Sequence, residues 1–91
     1  MIHLKRYQDA IKAFDMALAS NPEYPEVFYY QGIAYLQREL YDDAILSFNR
    51  ALSINDRYAE AYYYKGEALT HLRSYDESIL AFNEALTINP E

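Results

Sequence analysis

The chain has 91 residues, enough for one small domain and too few for two. With 52% hydrophobic and 24% charged residues it reads as a folding chain rather than a disordered one, and the absence of cysteine excludes a disulfide framework and thiolate chemistry. A net charge of −6 argues against a phosphate backbone as partner. No apolar run reaches the length of a membrane span and the N-terminus lacks a signal-peptide shape, so the expected location is cytoplasmic by default.

Five helices are predicted in chain order. Residues 5–20 carry Tyr7, Ala10, Ile11, Phe14 and Leu18 at helical spacing. Residues 25–38 open on Pro25, which suits a first helical turn, and place Phe28, Gly32 and Tyr35 at i, i+4 and i+7. Residues 41–54 form a broad apolar stripe from Tyr41, Ala44, Ile45, Phe48, Ala51 and Leu52; Asp42 and Asp43 stand at its start, where negative charge is favourable. Residues 59–72 repeat the second pattern with Tyr62, Gly66 and Leu69, and residues 75–88 repeat the third with Tyr75, Ser78, Ile79, Phe82, Ala85 and Leu86. Ser74 and Glu77 have the spacing of a capping box. Pro22, Pro90 and the asparagines at 21, 55 and 89 suit helix ends and turns. No segment reads as a strand; the tyrosine runs have β-propensity, but they sit inside a helical period.

The elements recur with a period of 34 residues. Tyr7, Tyr41 and Tyr75 are related by it, as are Phe14, Phe48 and Phe82, and Ala17, Ala51 and Ala85. Gly32 pairs with Gly66, Ala34 with Ala68, Tyr24 with Tyr58 and Glu26 with Glu60. A period in this range marks a unit of supersecondary structure that stacks on copies of itself. Glycine inside a helix costs about 1 kcal/mol against alanine, so Gly32 and Gly66 imply close approach of a partner helix, with the phenylalanines filling the space between.

This pattern resembles the tetratricopeptide repeat family. Residues 25–58 match it with Phe28, Gly32, Tyr35, Tyr41, Ala44, Phe48 and Ala51, and residues 59–91 with Tyr62, Gly66, Tyr75, Phe82, Ala85 and Pro90. The resemblance implies an all-α fold, antiparallel helix pairs stacked as a right-handed α-solenoid. Gln31 and Lys65 replace the family's leucine before the glycine, Leu69 replaces tyrosine, Ser78 alanine and Asp56 proline. These departures are expected at solvent-edge or variable positions.

The register divides the single domain, residues 1–91, into a half repeat over 1–24, with only its second helix, and full repeats over 25–58 and 59–91. Stacked repeats normally need polar end caps. The front stripe instead offers Leu4, Ile11 and Phe14, and the last helix offers Ile79, Phe82 and Leu86. The expectation is a fragment of a longer array, one or both of whose ends cover themselves by self-association, by helix exchange or by crystal contacts.

Successive helical residues point about 100° apart, so the adjacent aromatics of VFYYQG and AYYYKG cannot share a face. Phe28 and Tyr62 are expected inside the helix pair, with Tyr30 and Tyr64 at an edge or against a neighbouring helix. In the family that the resemblance implies, first helices line a concave groove. By register that groove holds Glu26, Tyr29, Ile33 and Leu36 in one repeat and Glu60, Tyr63, Glu67 and Thr70 in the next. Tyrosine offers large contact area at low entropic cost, and the glutamates favour a neutral or basic ligand. For Tyr29 and Tyr63 half-buried packing is the competing reading. Some family members grip a C-terminal carboxylate with lysine, asparagine and arginine on these helices; Tyr29, Ile33, Tyr63, Tyr64 and Glu67 stand there instead, so that clamp is absent.

No constellation for catalysis emerges. His3 and His71 fall roughly two repeats apart and cannot share a metal; no phosphate loop or nucleophile with a histidine base is present, and Lys5 with Arg6 is too little for a nucleic-acid patch. The expected protein is a non-enzymatic scaffold without cofactor, binding a protein or peptide rather than nucleic acid or membrane. The alternative is a structural segment that forms homo-oligomers through its uncapped end helices.

Overall fold

The computed structural model describes residues 24–90. Over them the chain forms four helices: α1 (Pro25–Gln37), α2 (Tyr41–Ile54), α3 (Ala59–His71) and α4 (Tyr75–Ile88). Each matches a predicted helix to within one residue at either end. The predicted helix over 5–20 lies outside the described residues, as do Leu4, Ile11 and Phe14. Helices α1 and α2 form one pair and α3 and α4 another; α2 packs on α3, and α1 also touches α3. The result is an all-α helical-repeat solenoid. No described helix is long and apolar enough to cross a membrane.

Local chemistry sets the boundaries. Pro25 occupies the first turn of α1, where its missing N–H is no loss, and Glu26 adds negative charge there. Asp42 and Asp43 do the same for α2, and Asp76 and Glu77 for α4. Asn55 and Asn89 are C-caps in extended backbone; each N–H donates to the alanine carbonyl four residues earlier, at 2.9 Å. The Asn55 Oδ1 also accepts from the Arg57 N–H at 3.1 Å, closing the turn into α3. Ser74 takes the N-cap position of α4, but its side chain makes no capping hydrogen bond, so the predicted capping box does not form.

The turn within each pair is a Schellman motif without glycine. The Leu40 N–H donates to the Tyr35 carbonyl and the Glu39 N–H to that of Leu36; Ser74 to Leu69 and Arg73 to Thr70 repeat this in the second pair. Glu39 and Arg73 therefore adopt left-handed backbone, with φ of 63° and 64°. Glycine usually takes this position because it has no Cβ penalty.

The core lies between the first pair and α3. Phe28, Ala44, Phe48, Ala51, Leu52 and Ala61 are buried together, with Phe48 fully enclosed. A Cβ added at Gly32 would meet the Phe48 ring at 2.5 Å, and one at Gly66 would meet Phe82 at 2.8 Å. Both glycines are thus there for close approach, as their cost within a helix implies. Two departures from the family pattern are not at the solvent edge as expected. Gln31 is buried and accepts a hydrogen bond from the Ser47 hydroxyl at 3.0 Å; Ser78 is buried with its hydroxyl 2.8 Å from that of Thr70. Each pair of helices holds one such polar contact. The hydrogen bond offsets the cost of removing the groups from water, and that allows polar residues where the family pattern has leucine and alanine.

Candidate functional site

The tyrosines of α1 and α3 form a continuous aromatic path across the two repeats. Tyr30 meets Tyr29 edge-on at 5.0 Å between ring centroids, Tyr29 lies 6.1 Å from Tyr64, Tyr64 meets Tyr63 at 5.0 Å, and Tyr63 lies 5.5 Å from Phe82. Tyr58, at the N-cap of α3, stacks on Tyr29 at 5.0 Å with 28° between planes. Centroid distances of this size are favourable aromatic contacts.

Members of this path differ in exposure. Tyr29 is half-buried, flanked by Tyr30, Phe48, Tyr58 and Tyr64. Burial, then the charges at Tyr64 and Glu60, push its hydroxyl pKa up to about 12. Tyr58 is raised further for the same first reason, with Glu26 next. Tyr63, by contrast, is 46% exposed. Its hydroxyl is held above the ordinary tyrosine value mainly by the charge of the Glu67 carboxylate.

The other groove residues separate in the same way. Glu26 and Glu60 are exposed and Glu67 is half-buried beside Tyr63. Ile33 and Leu36 are half-buried against the core. Thr70 is exposed, but its hydroxyl is engaged: it donates to the Gly66 carbonyl at 2.9 Å and accepts from Ser78. Tyr30 stands exposed at an edge, whereas Tyr64 lies against α2, its ring 6.5 Å from Phe48. Among the predicted end residues, Ile79 and Leu86 are exposed and Phe82 is half-buried.

Three features were not anticipated. His71 stacks on Tyr41 with centroids 4.6 Å apart and only 5° between planes, tying the end of α3 to the start of α2. The guanidinium of Arg50 lies 5.9 Å from the Phe28 ring centroid. On the open side of α3 and α4 a cavity of about 440 Å³ is bordered by Glu60, Tyr63, Tyr64, Phe82, Ala85 and Leu86. The 34-residue period already held the signal for the cavity, since those residues repeat a set that is covered one repeat earlier. The two side-chain contacts had no periodic signal. Among the described residues no group of three His, Asp or Glu side chains is placed to hold a metal ion.

Fold and surface together define a helical-repeat protein that presents aromatic side chains along its first helices and at an open end. Tetratricopeptide repeat models match residues 4–59 and 59–91, and the chain belongs to the tetratricopeptide repeat family. Among solved structures, a crystal structure of MamA is similar at 27% identity and a TM-score of 0.90, over 92% of this chain and 49% of that one. The chain thus spans about half the length of that relative. The Arabidopsis OM64 TPR domain is similar at 23% identity and a TM-score of 0.93, over 96% of this chain and 72% of that one. The first TPR of Spaghetti (RPAP3), bound to the HSP90 peptide SRMEEVD, is similar at 23% identity and a TM-score of 0.93, over 96% and 69%. The last two likenesses concern the fold alone. Among curated proteins none matches the chain.

Proposed function

We propose that the chain is a non-enzymatic protein-interaction module that holds a peptide or partner helix along its first helices, against Tyr63, Glu67, Glu60, Glu26 and the edge of Tyr29. Membership of the tetratricopeptide repeat family and a similar domain solved with a bound peptide support a module of this kind. The carrying observation is Tyr63, a large aromatic left 46% exposed on the same helix face as Glu67, whose charge acts on its hydroxyl. An exposed aromatic beside a carboxylate supplies contact area and charge together. Ile33 and Leu36 support this surface from beneath, given their partial burial, and the exposed Thr70 has its hydroxyl already engaged.

The charge of the surface selects the ligand. SRMEEVD, the peptide held by the similar RPAP3 domain, is acidic. Glu26, Glu60 and Glu67 would repel such a sequence and attract a neutral or basic one. A fluorescence-anisotropy screen of acidic, neutral and basic 12-residue peptides tests this. Basic peptides should bind best, and Tyr63→Ala with Glu67→Gln should weaken them at least tenfold with the urea midpoint nearly unchanged. Preference for acidic peptides, or an unaltered affinity in the double variant, would refute the reading.

A second reading, self-association through the end helices, is favoured by one observation: Ile79, Leu80 and Leu86 on α4 are each more than half exposed. Light scattering across a wide concentration range tests it. A mass that climbs with concentration supports it, and a constant 10.7 kDa removes it.

A further inference from the structure

The two helix pairs share a register but differ on one side. In the first pair the Arg50 guanidinium lies 5.9 Å from the centroid of the Phe28 ring, and the Ser47 hydroxyl donates to the buried Gln31 at 3.0 Å. One period later Tyr62 replaces Phe28, Lys65 replaces Gln31, Ala81 replaces Ser47 and Glu84 replaces Arg50. The ring is kept, the cation becomes an anion, and the polar contact has lost its hydroxyl. A cleft of about 190 Å³ lies there, bordered by Tyr62, Lys65, Glu77, Leu80, Ala81 and Glu84.

The cleft faces away from both surfaces described above. At 100° per residue, Tyr62 and Lys65 lie about 140° or more round α3 from Glu60 and Glu67 of the groove. On α4, Glu77, Leu80 and Glu84 lie about 120° or more from Leu86. Leu86 stands on the side that a following helix covers in the first repeat, where its counterpart Leu52 is 9% exposed. Leu46, the counterpart of Leu80, stays 53% exposed with α3 and α4 in place. Repeat stacking therefore leaves the side on which the cleft opens uncovered.

The chemistry of the cleft suits a guanidinium. A planar, weakly hydrated cation is attracted to an aromatic face, as Arg50 is to Phe28. Glu77 and Glu84 bring two carboxylates against the single positive charge of Lys65, so the cleft is acidic. Burial, then the charges of Glu84 and Asp56, raise the pKa of the Tyr62 hydroxyl, so both carboxylates act at this ring. Leu80, 65% exposed at the border, offers apolar contact to whatever lies beside the cation.

We propose that this cleft docks an arginine of a partner protein, its guanidinium on the Tyr62 ring against Glu77 and Glu84, with an apolar residue beside that arginine resting on Leu80. The site is separate from the groove and does not depend on it.

The probe is the capped pentapeptide acetyl-Gly-Leu-Arg-Leu-Gly-amide, titrated into the 15N-labelled 91-residue chain at about 0.15 M salt, where charges beyond about 8 Å are largely screened. Amide shifts locate the site, and the same spectrum shows that each variant is folded. Saturable shifts at Tyr62, Lys65, Ala81 and Glu84 are expected. Replacing arginine by citrulline, which keeps the shape and removes the charge, should weaken binding about tenfold. Tyr62→Leu should weaken it about fivefold, while Tyr62→Phe should not. Glu84→Arg, which rebuilds the pair seen in the first repeat, should abolish it, and Lys65→Gln should strengthen it about threefold. Glu67→Lys makes the same charge change in the groove and should leave the cleft unaffected, which separates failure of this site from failure of the groove. Absence of saturable shifts, shifts confined to Glu60, Tyr63 and Glu67, or equal affinity for the citrulline peptide or the Glu84→Arg protein overturns the proposal. Binding seen only in the Lys65→Gln protein also overturns it, assigning the cleft to the chain's own lysine. Equal affinity for free arginine overturns docking of a protein segment. Shifts of the same amides when the chain alone is concentrated overturn the partner, assigning the cleft to a second copy.

Discussion

Phe48 and Phe82 hold the same position in successive repeats, each against a glycine of the preceding helix, and they differ only in what lies beyond them. Phe48 is covered by α3, with Tyr64 over its ring; Phe82 faces the open cavity. Tyr29 and Tyr63 differ in the same sense, one raised in pKa by burial and the other by a neighbouring carboxylate. One sequence motif thus serves as core in one repeat and as surface in the next. In a repeat protein, burial belongs to the neighbour as much as to the residue, because each unit contacts only the units beside it.

The largest test of this contrast is Phe48→Ala against Phe82→Ala. Removing an enclosed phenylalanine costs about 3–5 kcal/mol, a large share of a small domain's stability. Phe82→Ala should cost less, about 2 kcal/mol, since part of that ring meets water. Urea unfolding followed by circular dichroism measures both, and equal losses would show that the open end is covered in solution.

Alkaline titration sharpens the same comparison at the tyrosines. The Tyr29 hydroxyl ionises near its ordinary value of 10.0 in the unfolded chain and near 12 in the fold. The unfolded state therefore loses this proton first as pH rises. The stability contributed by the buried neutral phenol is fully present below pH 10 and disappears as pH climbs through 12. The loss should reach at most about 3 kcal/mol, at about 1.4 kcal/mol per unit of pKa, and less with solvent screening of the partly exposed ring. Tyr29→Phe should flatten this alkaline limb in a urea-midpoint series. The shift at Tyr63, being Coulombic and exposed, should shrink with added salt when followed by tyrosinate absorbance, while that at Tyr29 should not.

The smallest expected effect is the one at which the two repeats should agree. Glu39→Gly and Arg73→Gly relieve left-handed backbone at the two Schellman turns, and each should raise stability by about 0.5–1 kcal/mol. Because these turns depend on local backbone alone, the gains should match. A large difference in thermal unfolding between the two variants would mean that the turns also sense the neighbouring repeat.

The described helices were legible because their apolar residues keep the helical spacing and repeat every 34 positions. Gly32 and Gly66 announced a close approach, and the phenylalanine rings meet it. The burial of Gln31 was not legible, since a polar residue reads as exposed until its partner, Ser47, is found sixteen positions away. The failed capping box at Ser74 has the opposite lesson: matching spacing does not orient a side chain. Of the groove residues, Tyr63 and Glu67 carried a visible pattern of aromatic and acid on one helix face. The hydrogen bonds of Thr70 did not.

By itself the sequence determined the helices, their repeat and the family, because helical periodicity and a fixed offset are properties of residue order. Tertiary structure alone decided which member of each repeated pair is buried. Leu52 and Leu86 are the same residue at the same register, and α3 covers one of them while nothing in the described chain covers the other. Burial is set by contact with a neighbouring surface, and the identity of a residue does not specify that surface.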